Sequence, residues 1–335
     1  MGMSKKKPPT MKRVIKPEGL HRIEIEEVPI PDPGPGEIRI KAACSLISRG
    51  SELGGRYTRE HAVSPDIMGY SMAGTVDALG EGVEHLETGD RVVALAPHAQ
   101  YVVRPARLVF PWDQTVVMPM PADLSFDRAP YYPLTAGAVT WVEVEDIQPQ
   151  DTVVVLGQGL VGNLILQVIK ANGVGRTVAV DALANRCAMA AECGADTVIN
   201  AREEDPVRAV KRLTNGLGAD IVVYAVGGPA GPVAFGQGLD MLALGGLMHL
   251  IGLYEDQPLS LPSNKIQGRK LLGGYFRTRA GARQSRRAME LLASGAIRTD
   301  RMTTHRFHWR QAADAFALLY QKPGEALGVL LDWRD

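Results

Sequence analysis

The sequence predicts an α/β protein in which a doubly wound, mostly parallel sheet follows a smaller β-rich unit. Three observations carry the prediction. From about residue 150 the chain repeats strand, turn and helix, and strands that alternate with helices build a parallel sheet covered on both faces. Residues 11–125 read differently, with Gly, Pro and short β-branched runs such as "HRIEIEEVPIP", "GEIRIKAACSLIS", "AGTVDALG", "DRVVALA" and "AQYVV". Short alternating runs between turn residues make a compact all-β unit. The final "GVLLDW" reads as one more strand, able to return to that first unit.

Each element has a local reason. "MGMSKKKPPT" joins charge to proline without the apolar stretch of a signal peptide, and residues 1–10 read as a disordered tail. "TVVVLG" is a buried strand. The helix after it sets Leu160, Val161, Leu164, Ile165, Val168 and Ile169 on one face, and Asn172–Gly173 closes it. "TVAVD" is a second strand, followed by a helix over 184–193 and the strand "DTVIN". Asp205–Pro206 is an N-cap and first-turn pair for a helix carrying Val207, Val210 and Leu213. "DIVVYAVGG" and "GLMHLIGL" are further strands. Beyond residue 275, one amphipathic helix covers about 284–294 and ends at Gly295, and another presents Ala312, Ala315, Phe316 and Leu319.

Composition removes several function classes. The 335 residues have room for two domains, and 37 Lys+Arg balance 37 Asp+Glu, so no broad basic surface points to nucleic acid or an anionic membrane. The longest apolar run, "TVVVLGQGLVGNLILQVIK", is broken by Gly, Asn and Gln and predicts no membrane span. Three cysteines (Cys44, Cys187 and Cys193) are too few for a disulfide scaffold, and a soluble protein in the reducing cytoplasm is expected.

"VVVLGQGLVGNL" holds Gly157, Gly159 and Gly162 in G-x-G-x-x-G spacing. The pattern follows a strand, opens a helix, and has Asp181 at the end of the next strand, 19 residues after Gly162. Gly157 makes the tight turn, Gly159 lets the backbone approach a pyrophosphate, and Gly162 allows helix to pack on strand. The helix N-terminus then offers N–H groups and partial positive charge to phosphates. Asp181 would accept from both adenosine ribose hydroxyls and repel a 2′-phosphate, which favours NAD over NADP. Arg186, five residues on, softens that preference by stacking on adenine or tolerating a phosphate. The bland reading is a glycine-rich turn that binds nothing; it leaves the register of strand, helix and acid unexplained.

With these motifs in place, nearly all of residues 11–335 resembles the medium-chain dehydrogenase/reductase superfamily, the zinc alcohol dehydrogenases and quinone reductases. The resemblance rests on "PDPGPGEIRIKAACSLIS", on "MGYSMAGTVDALGEGVEHLETGDRVVAL" with Gly69, Gly74, Gly80 and the Gly89-Asp90-Arg91-Val92 turn, and on "PLTAGAVTW", "GADIVVYAVGG" and "LALGGLMHLIGL". It implies a Rossmann doubly wound parallel sheet (residues 131–269) plus a GroES-like β-rich catalytic domain built from residues 11–130 and 270–335, with the active site between them. It also implies cofactor contacts from Gly157, Gly159, Leu160, Val161, Gly162, Asp181, Arg186, Val226 and Thr135.

The departures are as informative. Zinc members write Cys-Gly-Thr/Ser-Asp where this chain has Arg49-Gly50-Ser51-Glu52, and Gly-His-Glu where it has Gly69-Tyr70-Ser71. Their third ligand falls near Thr135, and the four-cysteine structural zinc lobe is absent. The resemblance is therefore to a zinc-free member, with Cys44 expected as a small core residue and no metal ligands. In an alcohol dehydrogenase the metal polarises a carbonyl and stabilises an alkoxide, so a substitute must bring positive charge or a proton donor to that oxygen. The catalytic candidates are Tyr70 as acid/base or oxygen anchor, Ser51 at the proton-relay position, and Arg49, expected to lower the phenol's pKa from its usual value of about 10 or to bind an anionic substrate. Bland roles stand beside these: Tyr70 as pocket lining, Arg49 paired with Glu52, and His98 as a satisfied strand-end residue. The proton-relay histidine of some zinc enzymes is Gly54 here.

The leading expectation is an NAD-dependent oxidoreductase that interconverts a secondary alcohol and a ketone, on a polyol, sugar or specialised metabolite. Alternatives are an enoyl or quinone reductase using NAD(P)H, an enzyme that uses bound NAD transiently for epimerisation or elimination, and a non-catalytic NAD-binding structural or sensor protein. Pairing of an edge strand around "GLMHLIGL" through "LLGGYF" predicts a homodimer by analogy with relatives. Residues 53–66 and 276–283 are expected pocket walls.

Overall fold

The structure, a computed structural model, describes residues 8–106, 117–253, 257–274 and 282–334. The N-terminal unit contains β1 (Thr10–Ile15), β2 (Glu24–Pro29), β3 (Glu37–Ile47), β4 (Met72–Leu79), β5 (Arg91–Ala94), β6 (Tyr101–Pro105) and β7 (Val117–Pro119). The helix α1 (Tyr132–Glu145) leads into β8 (Thr152–Leu156), α2 (Leu160–Asn172), β9 (Arg176–Asp181), α3 (Ala184–Glu192), β10 (Thr197–Asn200) and α4 (Pro206–Leu213). There follow β11 (Ala219–Tyr224), α5 (Gly231–Met241), β12 (Leu242–Leu250), α6 (Ser263–Ile266) and β13 (Lys270–Gly273). The chain ends with α7 (Ala282–Ala293), α8 (Thr299–Met302), β14 (Thr303–His308), α9 (Ala312–Gln321) and β15 (Gly328–Asp332).

The six-stranded sheet runs β10-β9-β8-β11-β12-β13, every pair parallel. Val153, Val154, Val155 and Leu156 are all buried, as a strand covered on both faces requires. Gly173 stops α2 in the left-handed region at φ 67°, and Asp205 Oδ1 caps α4 by accepting from the N–H groups of Val207 and Arg208. The seven-stranded sheet is β14-β15-β3-β4-β5-β7 with β6 also on β3. Its C-terminal strand lies antiparallel to β3, Leu330 opposite Leu46, so "GVLLDW" does return to the first unit.

Four expectations need adjustment. The parallel sheet continues past the expected boundary at 269, because Lys270–Gly273 is its sixth strand and α7 packs on α1. Thr10 already belongs to β1, and residues 1–7 of the expected tail lie outside the described residues, as do 276–281 of the expected pocket wall. The sequence reading has no helix at α1 or at α5. Residues Tyr132–Val142 are buried without a break, since α1 is wedged between α2 and α7; a helix covered all round shows no amphipathic period. Among the described residues no helix is long and apolar enough to cross a membrane.

Candidate active site

The dinucleotide cradle follows from three glycines at the β8–α2 turn. Gly157 has φ +88°, and a Cβ there would come within 2.8 Å of Ala225 O and 2.9 Å of Val226 Cγ2. A Cβ on Gly162 would lie 1.9 Å from Gly157 O, so the helix packs on its own turn only with glycine here. Gly159, the N-cap of α2, has open space where a Cβ would be. Leu160 and Val161 begin the helix, whose first N–H groups have no intrahelical acceptor. This cradle fits a pyrophosphate.

Asp181 closes the cradle at the end of β9. Its Oδ2 accepts from Gln158 N–H at 2.7 Å and its Oδ1 from Leu183 N–H at 2.9 Å, which leaves a lone pair on each oxygen. Arg186 Nη1 lies 3.8 Å from Asp181 Oδ2, while its Nη2 donates to Pro323 O and its Nε is buried without a partner. The carboxylate therefore has a cation beside it. Arg49 joins them from the β-rich unit: burial brings its guanidinium down to about 10, Arg186 acts in the same direction and Asp181 opposes it.

The chemistry-bearing turn leaves β3 at Ser48 and winds as a π-helix over Arg49–Tyr57, with Thr58 N–H donating five residues back to Leu53 O at 3.2 Å. Such wide turns are rare and concentrate at functional sites. Two contacts hold it. Tyr57 packs on α9 through Phe316 and Tyr320, with ring centroids 5.7 and 5.6 Å apart. Glu52 Oε1 reaches back to accept Ser48 N–H at 2.8 Å.

The other oxygen of Glu52 meets His98 Nε2 at 2.9 Å, with both side chains wholly buried. His98 Nδ1 lies 2.8 Å from Ser45 Oγ, which accepts from Trp333 Nε1–H at 2.8 Å. The donor inventory assigns the protons. Indole can only donate, so Ser45 Oγ accepts there, and the acceptor within reach of its own proton is His98 Nδ1, which leaves Nε2–H facing Glu52. Glu52 pairs with His98 and not with Arg49, and His98 is satisfied at both ring nitrogens.

Tyr70 faces this turn, and its phenol donates to Ser48 Oγ at 2.8 Å. Burial pushes its pKa up to about 12, against the Ser48 hydrogen bond; the Glu52 carboxylate adds to the rise, while Ser51 and Arg56 oppose it. The expected lowering of this phenol by Arg49 is not what the geometry produces. Arg49 is coupled electrostatically to Asp181 and Arg186, and the cation that acts on Tyr70 is Arg56. Arg56 Nη1 and Ser71 Oγ are both buried without partners.

Zinc does not fit this donor set. The three positions where zinc relatives carry ligands hold Arg49, the Tyr70 phenol and Thr135, whose hydroxyl donates to Tyr131 O at 2.9 Å. Glu52 and His98 are occupied with each other. Cys44 is fully buried in β3, and burial raises its thiol to about 12. Among the described residues no group of three or more His, Cys, Asp or Glu could hold a metal ion. A tetrahedral site needs four such donors or three with a water.

The sequence reading named the glycines, Asp181, Tyr70 and Ser51, and it did not name Ser48, Arg56 or the contacts that Ser45, Glu52 and Trp333 make. Glu52 stands four residues after Ser48, one more than the capping-box spacing, so no cap pattern marks its contact with Ser48 N–H. Trp333 lies 288 residues from its partner Ser45, and no local pattern reveals that contact.

Residues 34–114 match the alcohol dehydrogenase GroES-like domain, and residues 161–294 match the zinc-binding dehydrogenase family. The chain is 28% identical over 362 residues to sorbitol dehydrogenase of Bacillus subtilis (strain 168), covering 97% of this chain and 98% of that protein. It is 30% identical over 338 residues to L-threonine 3-dehydrogenase of Pyrococcus abyssi, covering 92% and 95%. Among solved structures, an alcohol dehydrogenase from Thermus sp. ATN1 superposes with a TM-score of 0.81 at 25% identity, covering 96% of this chain and 99% of that one.

Proposed function

Since the chain belongs to the medium-chain dehydrogenase/reductase superfamily of oxidoreductases, we propose that it interconverts a secondary alcohol and a ketone with NAD(H), without a catalytic zinc. One observation supports the reading: the Tyr70 phenol donates to Ser48 at the start of the turn whose next residue, Arg49, is coupled electrostatically to Asp181 and Arg186.

Gly157, Gly159 and Gly162 would hold the pyrophosphate against α2, with Val226 and Thr135 toward the nicotinamide and Asp181 on the ribose hydroxyls. Bound there, NAD supplies a hydride acceptor for the alcohol carbon, and NADH a donor for the ketone carbon. The protein's part is the proton. A phenol raised to about 12 stays protonated through the neutral range and gives its proton to the oxygen of a ketone as that oxygen gains charge. Ser48, which accepts from Tyr70, keeps a proton of its own to pass on, and Ser51 lies on the same side. The substrate class proposed is a polyol, sugar or specialised metabolite.

A second reading, an NADPH-linked enoyl or quinone reductase, is favoured by the two cations beside Asp181. The two separate in a titration of metal-analysed protein with NADH and NADPH, followed by nicotinamide fluorescence. Tight NADH binding, weak NADPH binding and no stoichiometric zinc support the first reading; preference for NADPH moves the second forward.

A homodimer in the cytoplasm completes the proposal. Among the described residues the strand β13 ends the parallel sheet with no partner on its outer edge; its own Leu271 is 39% exposed and Leu244 is 80% exposed. An unpaired edge with apolar neighbours is suited to pairing with a second copy. Sedimentation of the purified protein tests this, and a monomer at micromolar concentration would refute it.

A further inference from the structure

Gln158 of the cradle turn and Asn163 and Gln167 of α2 lie inside the protein, each 2% exposed or less, on a helix whose other buried residues are glycine or apolar. Their amides join end to end. Gln158 Nε2 donates to Val155 O at 3.1 Å, and Asn163 Nδ2 donates to Gln158 Oε1 at 3.3 Å. Gln167 Nε2 donates to Asn163 Oδ1 at 2.8 Å, and Gln167 Oε1 accepts from Arg298 N–H at 2.6 Å. Both ends of this ladder are backbone groups with fixed roles, a carbonyl that only accepts and an N–H that only donates. The orientation of every amide between them is therefore fixed, because turning one over sets oxygen against oxygen and N–H against N–H. A buried network satisfied in only one way specifies one arrangement of the elements it joins.

The two ends serve different parts of the molecule. Gln158 stands between Gly157 and Gly159, and its own N–H donates to Asp181 Oδ2 at 2.7 Å, so it belongs to the turn that shapes the cradle. Arg298 begins the segment that carries the chain from the parallel sheet into β14. Met302 of that segment also meets Gln167, its Sδ 3.3 Å from Nε2. Thr303 donates to Thr299 O and accepts from Tyr131 OH at 2.8 Å, and Tyr131 O in turn holds the Thr135 hydroxyl at the start of α1. We infer that Gln167 is a positioning residue for the dinucleotide: acting through Asn163 and Gln158, it sets the cradle turn against the crossing segment 298–303. A cradle must be held by locked supporting residues to keep its geometry, and this ladder is such a support. The inference rests on the reading of the cradle as a dinucleotide site, and not on the alcohol–ketone chemistry.

The test is dinucleotide affinity in the whole protein, read by nicotinamide fluorescence with NADH or NADPH, whichever the wild type binds more tightly. Gln167→Leu leaves Asn163 Oδ1 and Arg298 N–H unpaired, and it should bind about three- to tenfold more weakly, the worth of one neutral hydrogen bond. Gln167→Glu gives a readout that lost packing cannot imitate. Its carboxylate still accepts from Arg298 N–H but has no proton for Asn163, and no set of flips along the ladder repairs that. Its protonated acid offers the same donor and acceptor as the amide. Burial raises a carboxyl pKa, so this variant should bind weakly at about pH 9 and regain wild-type affinity by about pH 6. The charged groups on the adjoining elements, Glu192 of α3, Asp300 and Arg301 of α8, and Arg298 before it, are common to both proteins, so comparison with the wild type at each pH cancels their titration. Wild-type affinity in Gln167→Leu would overturn the role. So would a Gln167→Glu protein that matches the wild type at the alkaline end, or one whose deficit persists in acid. If Gln167→Leu does not fold, the Gln167→Glu comparison decides alone. A wild type that binds neither dinucleotide removes the cradle reading and this role with it, whereas tight binding untouched by either substitution removes the role alone.

Discussion

Replacing Glu52 with Gln tests the proton assignment in the buried chain that runs from Trp333 to Ser48. The wild-type carboxylate accepts from both sides, from Ser48 N–H at 2.8 Å and from His98 Nε2–H at 2.9 Å. The amide of Gln can accept from Ser48, but its NH2 then faces the His98 N–H. The imidazole can escape only by changing tautomer and donating from Nδ1 to Ser45 Oγ. That oxygen already accepts from Trp333, so the Ser45 proton is left without an acceptor in a site with no solvent exposure. One orphaned buried donor and the loss of a charge-assisted bond together cost about 2–4 kcal/mol. The midpoint of chemical denaturation should fall accordingly. A second readout follows the charge. The Glu52 carboxylate raises the Tyr70 pKa, so its removal lowers the phenol, and the alkaline limb of kcat/KM for ketone reduction should move to lower pH. A variant that unfolds with the wild type, or whose alkaline limb moves up, would refute the tautomer assignment and the coupling respectively.

Four further outcomes are expected. Tyr70→Phe should lower kcat for ketone reduction by about 10²–10⁴-fold, the usual contribution of a positioned acid, with NADH affinity unchanged in the fluorescence titration. Gly162→Ala should destroy dinucleotide binding, since its Cβ would stand 1.9 Å from Gly157 O and the turn must open to admit it; full NADH affinity in that variant would contradict the packing. Asp181→Ala should weaken NADH by about tenfold while sparing or improving NADPH, because the two arginines beside it remain; an equal loss for both cofactors would remove Asp181 from the ribose. The fold should also lose stability in alkali. Burial raises Tyr70 and Tyr132 to about 12 and raises Tyr131 too, so the unfolded chain gives up these protons first. Stability is full below the ordinary tyrosine pKa of about 10 and is lost as pH rises through the folded values. Denaturation midpoints across that range should show a shallower loss in Tyr70→Phe.

What the sequence made legible depended on whether the physical cause was local. The cradle was readable because strand, glycines, helix and acid sit within one short stretch, each with its own steric or electrostatic reason. The helices α2, α4 and α9 were readable from one apolar stripe or a cap. The helix α1 was not, because it is buried on every side and its period vanished. At the reacting centre the residue types were visible but their partners were not. Arg49 stands next in sequence to Ser48, whose hydroxyl holds the Tyr70 phenol, yet its charge is spent near Asp181; Arg56 stands seven residues further on and acts on Tyr70. Arg49 was named because it stands at an aligned ligand position, and alignment carries no information on which way a π-helical turn sends its side chains.

That exchange bears on how charge is arranged around this turn. A zinc ion concentrates positive charge at one point, where it must serve the substrate oxygen alone. Here Glu52, held by contacts with His98 and the Ser48 backbone, occupies the centre of the turn. Among the described residues neither of the two arginines on either side of it in sequence, Arg49 and Arg56, is ion-paired to it. If Glu52 were ion-paired to either one, that arginine would be unavailable, and Tyr70 would feel a weaker negative field.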